Sequence, residues 1–98
     1  MYKLYTFGRM NQLFNGKSEN VKEDSFVEGF SIDSRKLKKG DLFFCIKGEK
    51  TDGHIFISEA IERGASAVVA NPKNISENLL NKQFPRIFVS DPNLAFAE

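Results

Sequence analysis

The sequence has no tryptophan, one cysteine (Cys45), one histidine (His54) and three prolines among 98 residues. A lone cysteine excludes an intramolecular disulfide framework, and one cysteine with one histidine cannot complete a common zinc site. Neither sign of charge is in excess: 14 Lys and Arg against 13 Asp and Glu leave a formal net charge of +1. A nucleic-acid-binding domain usually carries a clear basic surplus, so that class is disfavoured. No apolar run approaches the roughly 20 residues of a membrane helix. The opening residues, MYKLYTFGRMNQ, lack the apolar core and cleavage site of a signal peptide. The expectation is a soluble, cytoplasmic chain.

Phosphate-loop signatures are also missing. Gly16-Lys17-Ser18 has Asn11 where the first glycine of such a loop belongs, and it follows a helical pattern instead of preceding one. Gly48-Glu49-Lys50-Thr51 is incomplete in the same way, and no GxGxxG occurs. Neither an ATP site, a dinucleotide site nor a metal site is expected, and no residue is assigned as catalytic. Cys45 sits in the apolar run DLFFCI, where a buried thiol acts as a small hydrophobe.

What is present is ordinary globular composition, 41% hydrophobic and 28% charged, with ten phenylalanines, most of which read as core. This length supports one domain. Leu4 to Phe14 has helical spacing and ends at Asn15-Gly16. Lys17 to Asp24 reads as a polar loop, and Ser25 to Ile32 as a strand. Asp41 to Ile46 is a continuous apolar run, as in a strand covered on both faces. From His54 the period becomes helical, with Ile55, Phe56, Ala60 and Ile61 on one face and Glu59 and Glu62 off it; Gly64 closes the helix. Ser66 to Ala70 and Pro85 to Ser90 read as short strands. A short helix near Leu79 lies between them, starting at Asn74 or Ser76, and another begins after Asp91-Pro92. The alternation predicts an α/β fold: a small two-layer or three-layer domain with a mixed, partly parallel sheet flanked by helices. The final helical segment, LAFAE, is too short to be stable alone, so the chain is expected to be a fragment of a longer one.

Two loops follow predicted strands. One is Ser31-Ile32-Asp33-Ser34-Arg35; the other is Gly48-Glu49-Lys50-Thr51-Asp52-Gly53-His54. In open α/β sheets ligands lie outside the carboxyl ends of strands, so neighbouring strands would bring both loops to one rim. Their hydroxyls, cations and glycines suit an anionic small molecule such as a nucleoside diphosphate. The same residues also suit turns and helix caps, and spacing alone leaves both readings open. His54 is expected to cap or pack, not to catalyse.

The block from Ser31 to Val69 resembles the N-terminal domain of the Mur ligases, cytoplasmic enzymes that build the peptidoglycan stem peptide. The matching motifs are Asp33-Ser34-Arg35, Lys39-Gly40-Asp41-Leu42-Phe43, Gly48 through Phe56, and Ala60 through Ala65. The resemblance implies that residues 1–98 form a domain holding the UDP end of UDP-N-acetylmuramoyl-peptide. Central and C-terminal domains would supply ATP and Mg2+ binding and the incoming amine. In the family, ATP phosphorylates the peptide carboxylate and the amine attacks the acyl phosphate. The fragment alone is expected to be inactive and to need no cofactor of its own.

By position, Ile32, Ser34, Glu49, Lys50 and Thr51 would touch the uridine nucleotide, with the Ser34 hydroxyl donating to ribose or phosphate oxygen. Asp33, Arg35, Asp52, Gly53 and His54 would shape the loops, Arg35 through Asp33 or Asp52. The KGE, FNGK and LAF stretches lean toward the branch that adds D-alanyl-D-alanine; the alternative is the branch that adds the third amino acid, diaminopimelate or lysine. Outside the family, the rival readings are a stand-alone α/β nucleotide-binding or interaction module and a small catalytic domain using His54 and Asp52.

Overall fold

The computed structural model describes residues 6–21, 28–48 and 51–97. The elements are α1 (Phe7–Phe14), β1 (Lys17–Glu19), β2 (Gly29–Ser31), β3 (Asp41–Phe44), α2 (Ile57–Glu62), β4 (Ala67–Ala70), α3 (Glu77–Leu80), β5 (Arg86–Phe88) and α4 (Pro92–Ala97). Five strands form one sheet in the order β1-β5-β4-β3-β2. β2, β3, β4 and β5 run parallel, and β1 joins β5 antiparallel, with Ser18 opposite Ile87. The fold is thus the expected α/β architecture with a mixed sheet.

Strand alternation divides the core between the two faces of the sheet. Leu42 and Phe44 of β3 and Ala67 and Val69 of β4 pack with Met10, Ile87 and Val89 on one face. Phe96 of α4 meets Phe44 there edge to face, ring centres 5.2 Å apart. Phe43, Cys45, Val68 and Ala70 point the other way, against Ile57 and Ala60 of α2, with Leu79 and Leu80 of α3 beside them. Helices cover both faces, which settles the open choice in favour of three layers. Leu42 to Phe44 of β3 and all of β4 are apolar because neither face meets water there. Each fully buried Phe or Leu here contributes about 1.5–3 kcal/mol.

Local signals explain most boundaries. Asn15 takes a left-handed φ of 53° just past α1. Gly64, at φ 96°, ends α2: its N–H donates to the Ile61 carbonyl and that of Ala65 to the Ala60 carbonyl, the paired bonds of a Schellman cap. Ser76 caps α3 by accepting from Leu79 N.

Three expectations are corrected. Lys17–Glu19 is strand β1, not loop; its three polar residues offer no apolar alternation, and its partner strand lies far away in sequence. The β3 ladder stops at Phe44, although Cys45 N still donates to the Val69 carbonyl at 2.9 Å. The helix from His54 begins as a 3-10 turn over Gly53–Phe56. Three residues per turn shift the phase of the face that follows. Ile57 and Ala60 are therefore buried, while Ile55 is 70% exposed and Phe56 stands at the surface. Leu4 of the predicted first helix and Ser25 to Val27 of the predicted strand lie outside the described residues.

Candidate functional site

β2 and β3 are parallel neighbours, so the segments following them leave the sheet at the same rim. After β2, the Ser31 hydroxyl donates to the Asp33 carbonyl. Asp33 then caps a 3-10 turn over Ser34–Lys36, its Oδ1 accepting from Arg35 N at 2.9 Å. The Arg35 guanidinium returns onto the same carboxylate, Nε to Oδ1 at 3.2 Å and Nη2 to Oδ2 at 3.1 Å. These hydrogen bonds hold the Asp33 carboxyl below its ordinary pKa. Arg35 thus pairs with Asp33 and not with Asp52.

After β3 the chain makes a tight excursion. Gly48 N donates to Thr51 O at 2.8 Å, and Gly53 N to Ile46 O at 2.9 Å. Glu49 and Lys50 lie outside the described residues. Asp52 closes the excursion by accepting at Oδ1 from His54 N at 3.0 Å and from the His54 ring at Nδ1. The other ring nitrogen, Nε2, accepts from Asn71 N at the end of β4. A nitrogen that accepts from a backbone N–H carries no hydrogen, so the ring proton sits on Nδ1. His54 is 5% exposed with both nitrogens engaged, which leaves neither for a substrate. Partial burial pushes the Asp52 carboxyl up, but the His54 hydrogen bonds and the Lys47 charge outweigh it, and the net shift is downward.

Between the two excursions lies a cleft of about 590 Å³ lined by Ile32, Asp33, Ser34, Arg35, Thr51, Phe56 and Glu59. The structure therefore brings together Ile32, Ser34 and Thr51 of the predicted contact set, with Asp33 and Arg35 beside them. Asp52, Gly53 and His54 are not among the lining residues; Gly53 and His54 are buried. Two residues were missed. Phe56 was read as core yet stands on the cleft wall. Glu59 was read as an outward charge, but its Oε1 accepts from the Ser34 hydroxyl at 2.8 Å, and its Oε2 pairs with Arg63 Nε at 3.1 Å. The available signal was spacing: Phe56 and Glu59 are three apart and Glu59 and Arg63 four apart, so they share a face. The hydrogen of Ser34 is thus given to Glu59 in this structure.

Among the described residues no three His, Cys, Asp or Glu side chains cluster as metal ligands. Gly16-Lys17-Ser18 leads into strand β1, so no helix N-terminus follows it to receive a phosphate. No described helix is long and apolar enough to cross a membrane. Cys45 is buried, and desolvation pushes its thiol pKa up.

The site is thus a cleft of mixed polar and apolar lining at the carboxyl rim of a parallel sheet, on a three-layer α/β domain. A family model described as "Mur ligase family, catalytic domain" matches residues 26–97. The chain belongs to the Mur ligase family. It is 41% identical over 85 residues, 87% of its length, to the UDP-N-acetylmuramoyl-L-alanyl-D-glutamate–2,6-diaminopimelate ligase of Listeria monocytogenes, and covers 16% of that protein. The enzyme of the same name from Syntrophomonas wolfei is 55% identical over 47 residues, covering 48% of this chain and 10% of the relative. A crystal structure of MurF from Acinetobacter baumannii superposes with a TM-score of 0.75 at 22% identity, covering 93% of this chain and 19% of the other. That likeness bears on the fold. The chain spans 16% or less of the length of these two curated relatives.

Proposed function

We propose that this chain is the N-terminal, substrate-anchoring domain of a longer ATP-dependent peptidoglycan-precursor ligase, and that its cleft holds the UDP end of a UDP-N-acetylmuramoyl-peptide. The observation that carries the reading is the meeting of Ile32, Ser34 and Thr51 in one cleft between the segments that follow β2 and β3. The apolar faces of Ile32 and Phe56 suit the flat uracil and ribose, and hydroxyls and backbone groups suit its polar edge. Glu49 and Lys50 belong to the same proposed contact set. Asp33, Arg35, Asp52, Gly53 and His54 hold the two walls. Central and C-terminal domains of the parent would bring ATP, Mg2+ and the incoming amine, and the parent would work in the cytoplasm. This chain by itself would bind without turning over.

The branch we propose is the one that adds the third amino acid to UDP-N-acetylmuramoyl-L-alanyl-D-glutamate. The 41% identity across most of the chain to a ligase named for diaminopimelate supports it. That outweighs the KGE, FNGK and LAF stretches, which lean toward addition of D-alanyl-D-alanine. The purified parent ligase is expected to join diaminopimelate or lysine to the dipeptide precursor with ATP. Joining D-alanyl-D-alanine to the tripeptide precursor instead would overturn the branch. For the domain itself, calorimetric titration is expected to show one site at which UDP and UDP-N-acetylmuramoyl-peptide compete, with ADP and CDP binding more weakly. Equal binding of ADP would contradict the reading.

A further inference from the structure

The hydrogen-bond direction at Ser34 restricts what can lie against it. A serine hydroxyl has one hydrogen and two lone pairs. Here the hydrogen goes to Glu59 Oε1 at 2.8 Å. Glu59 is in turn held from its other oxygen by Arg63, one helical turn further on. Ser34 itself is 3% exposed, so little water competes with Glu59 for its hydrogen. What remains for a ligand is a lone pair. The charge distribution points the same way. The described cleft walls carry two carboxylates, Asp33 and Glu59, against one guanidinium, Arg35, which is already paired with Asp33. A phosphate set against the Ser34 hydroxyl would find its hydrogen already given and a carboxylate at hydrogen-bond range.

We infer that Glu59 is a positioning residue that fixes Ser34 as a hydrogen-bond acceptor, so that the cleft reads a donor on the neutral part of its ligand, a ribose hydroxyl or the uracil N3–H, and not a phosphate oxygen. This rests on the nucleotide-anchoring reading above and deepens it. The diphosphate then lies away from Ser34. A site built around an acceptor discriminates against a ligand lacking the matching donor, because the acceptor is left unpaired.

The experiment is a titration of this chain with UDP, 2′-deoxy-UDP, 3′-deoxy-UDP, N3-methyl-UDP and uridine. One donor-deleted analogue is expected to bind about tenfold more weakly than UDP. Ser34→Ala should bind UDP more weakly by a similar factor and should no longer distinguish UDP from that analogue. Glu59→Ala, at a half-buried position where truncation leaves the core intact, should also lose most of that discrimination, because the freed hydroxyl can turn its hydrogen to the ligand. A purely structural role for Glu59 would weaken all ligands alike and leave the ratio unchanged, which overturns the inference. So does a series in which no donor-deleted analogue loses affinity for the unaltered chain, a result that needs no substitution. If Ser34→Ala instead erases the gain of UDP over uridine, Ser34 serves the phosphates, and the inference fails while the anchoring reading stands. Absence of UDP binding by the unaltered chain overturns both.

Discussion

Asn93 grips the backbone of Lys47 from both sides: its Oδ1 accepts from Lys47 N at 2.9 Å, and its Nδ2 donates to Lys47 O at 3.0 Å. Asn93 stands in the first turn of α4, and Lys47 begins the excursion that forms one wall of the cleft. Lys47 is bridged antiparallel to Asp52, and the Asn93 side chain takes up the Lys47 N–H and carbonyl that this bridge leaves unpaired. A wall made of loop is thereby tied to a helix 46 positions away.

Asn93→Ala removes both hydrogen bonds at an exposed site where water can replace them. The expected cost is about 1 kcal/mol in chemical denaturation. Amide exchange at Lys47 and Gly48 should speed up while exchange in β3 and β4 stays slow. Unchanged exchange at Lys47 would show that the grip does not hold the loop.

His54 joins Asp52 to the end of β4, and replacing it leaves the Asn71 N–H without its partner while Asp52 keeps only the backbone N–H of residue 54. His54→Ala should cost about 2–4 kcal/mol, from the unpaired Asn71 N–H, the lost ring bond to Asp52 and the space the ring leaves. Nitrogen NMR should find the ring hydrogen on Nδ1 and a bare Nε2. A hydrogen on Nε2 at neutral pH would contradict the assigned bond to Asn71.

Gly53 and Gly48 make a matched pair in the same excursion. A Cβ on Gly53 would lie 2.8 Å from Ile46 N and 3.0 Å from Cys45 Cα, both backbone atoms, whereas one on Gly48 meets only Thr51 O at 3.6 Å. Gly53→Ala is expected to destabilise by about 1–3 kcal/mol and to weaken ligand binding, with Gly48→Ala close to neutral. Equal effects would argue against the close approach at Gly53.

Asp52 gives a pH dependence with a definite sign. Its folded pKa is lowered, so its contribution is fully present above the unfolded value of about 3.9 and is lost as pH falls through the folded value. Asp52→Asn should be less stable than the native chain at neutral pH, with the gap narrowing below about pH 4. A gap that widens in acid would reverse the assignment.

The sequence was most legible where burial on both faces forces the residue choice. DLFF and AVVA could be little else but central strands, and the glycine at position 64 marked the end of its helix. Legibility failed where the determining contact is distant. β1 is three polar residues whose identity as a strand comes from β5, with Glu19 meeting the Arg86 guanidinium at 2.6 Å from 67 positions away. The start of α2 was misphased because Asp52 caps a 3-10 turn, and one short turn rotates every later residue. At the site, the two loops were visible from their position after strands. Glu59 was not, because its partner Ser34 lies 25 residues earlier and a glutamate on a helix normally faces water.

The central claim is that the segments after β2 and β3 form one nucleotide site, and backbone amide NMR of this chain titrated with UDP tests it most directly. The account predicts shifts gathered on Ile32 to Arg35, on Gly48 and Thr51, and on Phe56 and Glu59, saturating together with one affinity. Shifts confined to one loop, or clustered at the far edge around β1 and β5, would contradict it.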